Sequence, residues 1–227
     1  MGEAVGKQLR AFEHEASQYI QPQLLVELGQ LVAQIHGVQT DGFGLLDVRR
    51  IINKQHTQGK GLLETWGEYI VLNLEEHIKV CLDIGAINRE ECRRITLLFD
   101  RASRILENDK SCLLHGDLGG HNVFSDGERI TAIIDWEDCL CGDPVFDIAY
   151  WGTFYRDYLL DPFLKGYRMI RDLPEDFEVR YWLYYLRIAL SKTVHRYRFR
   201  YPDPPNRPPA SLRIQKGLER LRSLGWG

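Results

Sequence analysis

Residues 113–135 read Leu113-Leu114-His115-Gly116-Asp117-Leu118-Gly119-Gly120-His121-Asn122-Val123-Phe124-Ser125-Asp126-Gly127-Glu128-Arg129-Ile130-Thr131-Ala132-Ile133-Ile134-Asp135. This stretch decides how the chain is organised. Two β-prone runs, Val123-Phe124 and residues 130–134, flank an Asp126-Gly127 turn, which is a hairpin signal. An antiparallel pair brings the start of its first strand beside the end of its second, with Cα atoms about 5 Å apart. Asn122 stands at that start and Asp135 at that end. Asp117 lies on the loop just before, so the three converge on one point.

Two carboxylates and an amide oxygen are hard ligands suited to Mg²⁺, an ion that keeps several waters and takes one or two protein carboxylates plus substrate phosphates. Gly116, Gly119 and Gly120 let the backbone approach a ligand or adopt positive φ. Taken singly these residues are unremarkable: an Asp after Gly is a turn residue, an Asn before a strand is a cap, and a lone His115 is a structural histidine. Their joint spacing is what carries the signal.

His115-x-Asp117-x-x-x-x-Asn122 has the spacing of the protein-kinase catalytic loop. With Ile134-Asp135-Trp136-Glu137 and Gly142-Asp143-Pro144-x-x-Asp147, it closely resembles the aminoglycoside phosphotransferase/choline kinase family. Leu28-Gly29-x-Leu31-x-x-x-Ile35-His36 resembles that family's first helix after the hinge between its lobes. The resemblance covers residues 20–200 and is sharpest over 113–151. It implies a protein-kinase-like α+β fold, mostly helical, whose C-lobe carries the metal ligands on a small β-hairpin. It implies that Asp117 accepts or orients the proton of an attacking hydroxyl and that Asn122 binds one Mg²⁺. Asp135 would bridge Mg²⁺ to the phosphates of ATP. His115 would brace the loop, and Asp147 would hold it from the following helix. His36 and His121 read as structural. Glu137 reads equally as a further acidic contact near the metal or as a solvated side chain.

The flanking sequence is helical in pattern. Leu24, Leu25, Leu28, Leu31, Val32 and Ile35 recur at helical steps after Pro22, and Gly37 follows as a stop. Residues 40–46 read as a loop. A second helix is expected over 62–82, with Trp66, Tyr69, Ile70, Leu74 and Ile78 on one side. A third opens at Asn88, which has capping-box spacing to Glu91. Asp143-Pro144 reads as an N-cap with proline at the first helical position. Residues 154–199 are aromatic-rich and helical, 201–209 are a proline loop, and 210–224 form a last amphipathic helix.

The resemblance also predicts what these residues lack. A complete kinase of this type places about a hundred residues before the hinge, with a loop over the ATP phosphates and a strand lysine. Here about twenty precede the first helix. Gly2-Glu3-Ala4-Val5-Gly6-Lys7 has three residues between its glycines where a phosphate loop has four, and Gln8 where it has Ser or Thr. Lys54 and Lys60 lie in a polar stretch. The expected division is 1–20 as a hinge remnant or N-terminal extension and 21–227 as a kinase-like C-lobe. Within the C-lobe, 113–151 is the catalytic and metal-binding core, 154–200 the acceptor-side helices, and 201–227 the proline-rich loop and terminal helix. An N-lobe supplied by a chain in trans, or self-association at the hinge face, would complete such a lobe.

On the acceptor side, residues 181–200 hold five basic residues and no acidic one. That pattern favours a neutral, aromatic or anionic acceptor over a polycationic one. Tyr181, Trp182, Tyr184 and Tyr185 read as core at helical spacing, with stacking on a cation as the second reading. Arg196, Arg198 and Arg200 read as a solvated face.

The net charge of −3 and the charged fraction of 27% predict no nucleic-acid partner and no anionic membrane surface. No apolar run reaches the ~20 residues that cross a bilayer. Five scattered cysteines, with Cys139 and Cys141 one residue apart, read as reduced, buried thiols. A cytoplasmic protein is expected. The sequence thus predicts an ATP- and Mg²⁺-dependent phosphotransferase acting on a small-molecule hydroxyl and incomplete without an N-lobe. The alternative is a non-catalytic C-lobe module that binds a partner or metabolite.

Overall fold

The computed structural model of the chain describes residues 5–9, 20–47, 59–108, 110–154, 159–202 and 209–226. It is an α+β fold, mostly helical. The described helices are α1 (Pro22–Ile35), α2 (Trp66–Val71), α3 (Leu74–Asp83), α4 (Arg89–Arg101), α5 (Val145–Phe154), α6 (Leu160–Arg168), α7 (Phe177–Arg198) and α8 (Ala210–Ser223). The strands are β1 (Lys7–Gln8), β2 (Gln39–Thr40), β3 (Phe43–Leu46), β4 (Gly61–Leu63), β5 (Ser111–Leu114), β6 (Val123–Ser125), β7 (Ile130–Ile133) and β8 (Leu140–Gly142).

The hairpin is β6–β7, paired Val123 to Ile133 and Phe124 to Ala132, and β1 adds to it as a third strand. A second sheet, ordered β2-β5-β8-β3-β4, corrects the expectation of a single hairpin. It also corrects the reading of residues 40–46 as a loop. Gly42 and Gly44 do take positive φ, but Gly44 and Leu45 pair with Cys141 and Leu140 of β8, and Phe43 pairs with Leu63 of β4. Tertiary pairing has overridden local turn propensity there.

The expected helix over 62–82 is also divided. Gly61–Leu63 is a strand, and the helical part breaks at Leu72-Asn73, where Asn73 takes the left-handed conformation (φ 58°) that Asn tolerates. The expected capping box is present at Asn88. Its side chain accepts from Glu91 N–H at 2.9 Å, and Glu91 accepts from the Asn88 N–H at 2.8 Å. Ile95, Leu98 and Phe99 form the buried face of α4.

The long helix α7 is the axis of the core. Tyr181, Trp182, Tyr184 and Tyr185 are all buried on it, packed against α5 and α8. A buried polar chain ties it to its neighbours. Trp66 Nε1 donates to the Tyr184 hydroxyl at 2.9 Å, which donates to Asp143 at 2.7 Å, and Arg180 reaches the same carboxylate oxygen at 2.8 Å. Asp143 therefore does more than cap α5, where its other oxygen accepts from Val145 N–H at 2.9 Å. Cys81, Cys112 and Cys141 are buried, Cys92 and Cys139 half-buried, and all five are free thiols. Among the described residues no helix is long and apolar enough to cross a membrane.

Candidate active site

The loop between β5 and β6 is held from below by Asp147, on the first turn of α5. Its buried carboxylate accepts from His115 N–H at 2.6 Å and from Gly116 N–H at 2.9 Å. His36, just after α1, touches the same carboxylate through Nε2 at 3.2 Å and the Tyr167 hydroxyl through Nδ1 at 3.0 Å. His36 and Tyr167 thus back up the one carboxylate that holds the two backbone amides. Gly116 has φ 82°, and a Cβ there would lie 2.0 Å from the Asp138 carbonyl oxygen, so only glycine fits. Gly119 has no positive φ; the space over it is filled by the His121 ring.

His115 links the loop to the hairpin. Its Nε2 bonds the Ile134 carbonyl at 2.8 Å and its Nδ1 accepts from Asp117 N–H at 3.3 Å, contacts that one tautomer satisfies with Nε2–H as donor. The ring also rests on Trp136, with centroids 4.7 Å apart. His115 therefore braces Asp117 and does not face it with a side-chain proton.

Asp117 is the most heavily bonded carboxylate of the site. One oxygen receives the Tyr150 hydroxyl at 2.5 Å and Lys192 Nζ at 3.3 Å. The other meets His121 Nε2 at 3.0 Å and Asn122 Nδ2 at 3.2 Å. Burial alone would push the carboxyl up. The His121 bond, the Lys192 charge and the Tyr150 bond outweigh it and hold Asp117 well below the usual carboxylate range. Lys192 also sits over the Tyr150 ring, 4.6 Å from its centroid.

Asn122 and Asp135 lie at the open end of the hairpin. Ile134 N–H donates to the Asn122 carbonyl at 2.9 Å, which brings the two ends side by side. Asn122 is buried and spends its amide N–H groups on Asp117, leaving Oδ1 uncommitted. Asp135 is exposed, takes the left-handed conformation (φ 66°, ψ 63°), and has no side-chain partner among the described residues. So Asp117 and Asn122 are in direct contact, while Asp135 adjoins them through strand pairing alone. Glu137 is exposed on the one-turn helix Trp136–Asp138.

These donors fit a hard cation. Asn122 Oδ1 and the two Asp135 carboxylate oxygens have no partner among the described residues. No group of three or more His, Cys, Asp or Glu forms a cage among the described residues. An open site of this kind suits Mg²⁺, which completes its shell with waters and phosphates.

Sequence reading missed three contacts. His121, read as structural, bonds Asp117 directly. Tyr150 and Lys192 come from α5 and α7, and nothing in their local sequence separates them from core and surface residues. Beside this network a cavity of about 380 Å³ opens, with Gly116, Tyr150 and Lys192 on its wall.

Residues 5–182 match the phosphotransferase enzyme family, and the chain belongs to it. Among curated relatives it is similar to hygromycin-B 4-O-kinase of Escherichia coli, with 27% identity over 142 residues, 60% of this chain and 37% of the relative. It is also similar to viomycin phosphotransferase of Streptomyces vinaceus, with 43% identity over 54 residues, 22% of this chain and 19% of the relative. The chain thus spans less than two fifths of the curated relatives it matches. Among solved structures, a thermostable mutant of aminoglycoside phosphotransferase APH(4)-Ia in a ternary complex with AMP-PNP and hygromycin B superposes with TM-score 0.58. That match has 24% identity and covers 88% of this chain and 65% of the other. Macrolide 2′-phosphotransferase type I superposes with TM-score 0.56 and 16% identity, covering 90% of this chain and 60% of the other. The kinase-like fold is shared with both.

Proposed function

We propose that this chain is the catalytic lobe of a kinase that transfers the γ-phosphoryl group of ATP to a hydroxyl of a small molecule. The observation that carries the reading is Asp117, a carboxylate fixed by four side chains at the edge of a cavity and beside two unspent oxygen ligands. The nucleotide complex of APH(4)-Ia supports the same placement by fold.

Asn122 and Asp135 would hold Mg²⁺, which neutralises charge on the phosphates when bound. The acceptor oxygen attacks the γ-phosphorus, the bond to the β–γ bridging oxygen breaks, and ADP leaves with that electron pair. Asp117 hydrogen-bonds the acceptor hydroxyl and aims its oxygen. A carboxylate held this far down is a weak proton acceptor until the O–P bond is well formed, so the proton leaves late, to Asp117 or to water. That order suits a loose phosphoryl transition state. A carboxylate offers about four lone-pair sites, and all four are occupied here. An acceptor must therefore displace a donor, and Lys192, with the longest contact, is the one that gives way.

Groups that clasp the nucleotide from the other side are read as coming from outside residues 21–227, from another segment or another polypeptide. The partial coverage of the curated relatives supports that reading.

The test is phosphoryl transfer from ATP to a panel of small hydroxylated acceptors. In Asp117→Asn the rate is expected to fall by roughly 10²–10⁴-fold with circular dichroism unchanged. Equal and measurable rates in the two proteins would remove Asp117 from the chemistry.

A further inference from the structure

Arg187 sits on α7, five residues before Lys192, and lines the same cavity. Helix geometry separates their Cα atoms by roughly 7 Å along the axis. The guanidinium is nine-tenths buried, with 9% of the residue exposed. Its Nε donates to the Ile70 carbonyl at 2.6 Å and its Nη2 to the Leu72 carbonyl at 2.6 Å, which caps the end of α2. Its Nη1 meets His77 Nδ1 at 3.1 Å. These contacts use three of the five N–H groups a guanidinium carries. None goes to an anion, and no carboxylate among the described residues pairs with it. Burying a cation without a counter-charge is costly, and burial lowers the Arg187 pKa to about 10. Capping two carbonyls explains the backbone bonds. It does not explain a full charge placed against a cavity.

The rest of the wall does not cancel that charge. His77 is lowered to about 4, first by burial and then by Arg187 and Arg198, so it is uncharged at neutral pH. Asp138 is the acidic residue on the lining, and it is exposed to solvent. Tyr69, raised by burial to about 12, keeps its hydroxyl proton. The cavity wall therefore holds Tyr150 and Lys192, which bond Asp117 behind them, and Arg187, a cation with no counter-charge among the described residues.

We infer that Arg187 is the anion-recognition residue of the acceptor pocket, and that the acceptor is a compact molecule carrying a carboxylate or phosphate beside the hydroxyl to be phosphorylated. This rests on the proposed kinase reading for the identity of the pocket. The oxyanion takes the remaining N–H groups of Arg187, and the hydroxyl reaches Asp117. A polycationic acceptor, by contrast, meets a buried cation of its own sign.

The experiment titrates the full chain, without nucleotide or metal, while following the His77 ring signals by NMR. The probes are glycerate and glycerol phosphate against their uncharged counterparts glyceramide and glycerol. An anion on Arg187 perturbs His77, its hydrogen-bond partner, whereas Asp135 does not line this cavity. The anions are expected to give saturable shifts at concentrations about tenfold or more below the neutral probes, and Arg187→Gln is expected to abolish the difference. If Arg187→Gln does not fold, the charged-against-neutral comparison in the unaltered chain decides alone. Equal titration by both classes, or no response of His77 to either, overturns the inference. A His77 response to one anion class alone identifies carboxylate or phosphate. Anion binding here, with no phosphoryl transfer even when the complementary nucleotide-clasping segment is supplied, would sink the kinase reading and leave Arg187 standing as an anion site. Transfer confined to uncharged acceptors would do the reverse.

Discussion

The loop 115–122 and the end of the hairpin at 134–138 lie side by side, yet their carboxylates are treated in opposite ways. Asp117 is enclosed by Tyr150, His121, Asn122 and Lys192, and the backbone beneath it is fastened by Asp147. Asp135 is exposed, without a side-chain partner among the described residues, and held in a left-handed conformation. The first arrangement stabilises a charge with the protein's own donors, so its geometry is set before any ligand arrives. The second leaves a charge and a strained backbone waiting for a partner. The former suits the catalytic role proposed for Asp117, and the latter the metal-binding role proposed for Asp135.

The sharpest way to break that contrast is at Asp147. In Asp147→Asn one oxygen becomes an amide N–H that faces a backbone N–H, leaving a buried donor unpaired. The loss of about 1.5–3 kcal/mol is expected to lower the thermal midpoint by about 4–8 °C. An unchanged midpoint would mean that the loop is held elsewhere.

The paired substitutions Asp117→Asn and Asp135→Asn probe the contrast itself. The first removes a charge from four donors and is expected to cost about 1–2 kcal/mol, while the second stays within about 0.5 kcal/mol because Asn also tolerates the left-handed conformation. Urea midpoints measured side by side decide this, and equal losses would contradict the account.

Lys192→Met removes a cation from Asp117 and so raises its pKa. The acid limb of the kcat/KM profile, which reports the free protein, is expected to move upward by on the order of one pH unit, less than for a fully buried pair because Lys192 is partly exposed. A limb that stays in place would take Lys192 out of the network.

The smallest effect belongs to His77. Its folded pKa of about 4 lies below the unfolded value of about 6.5, so between them the unfolded chain binds more protons. Stability from this residue is complete above that window and is lost as pH falls from about 6.5 toward 4. Thermal scans of His77→Gln should show a shallower acid decline than the unaltered chain.

The sequence made this division legible where function depends on neighbours in the chain. Asp117, Asn122 and Asp135 are brought near one another by a loop and a hairpin, and both are written in local spacing and an Asp-Gly turn. The helices over 22–35 and from Asn88 were legible for the same reason: caps and apolar periodicity are local. The five-stranded sheet was not, because β2, β3 and β4 are two to four residues long and become strands by pairing with segments up to about a hundred residues away. The donors on Asp117 were hidden in the same way. Lys192 and Tyr150 reach it across 75 and 33 residues. Arg187 looked like one more basic residue of an amphipathic helix, and only its burial beside Ile70 and Leu72 distinguishes it from Arg198 and Arg200, which are exposed.

The most direct test of the central claim is Mn²⁺ binding, with ADP present, followed by electron paramagnetic resonance in the unaltered chain, Asp135→Ala and Asp117→Asn. The account predicts bound Mn²⁺ in the unaltered chain and in Asp117→Asn, and its loss in Asp135→Ala. Retention in Asp135→Ala, equal loss in Asp117→Asn, or no bound ion in the unaltered chain would contradict the assignment of a metal-seeking Asp135 beside a self-sufficient Asp117.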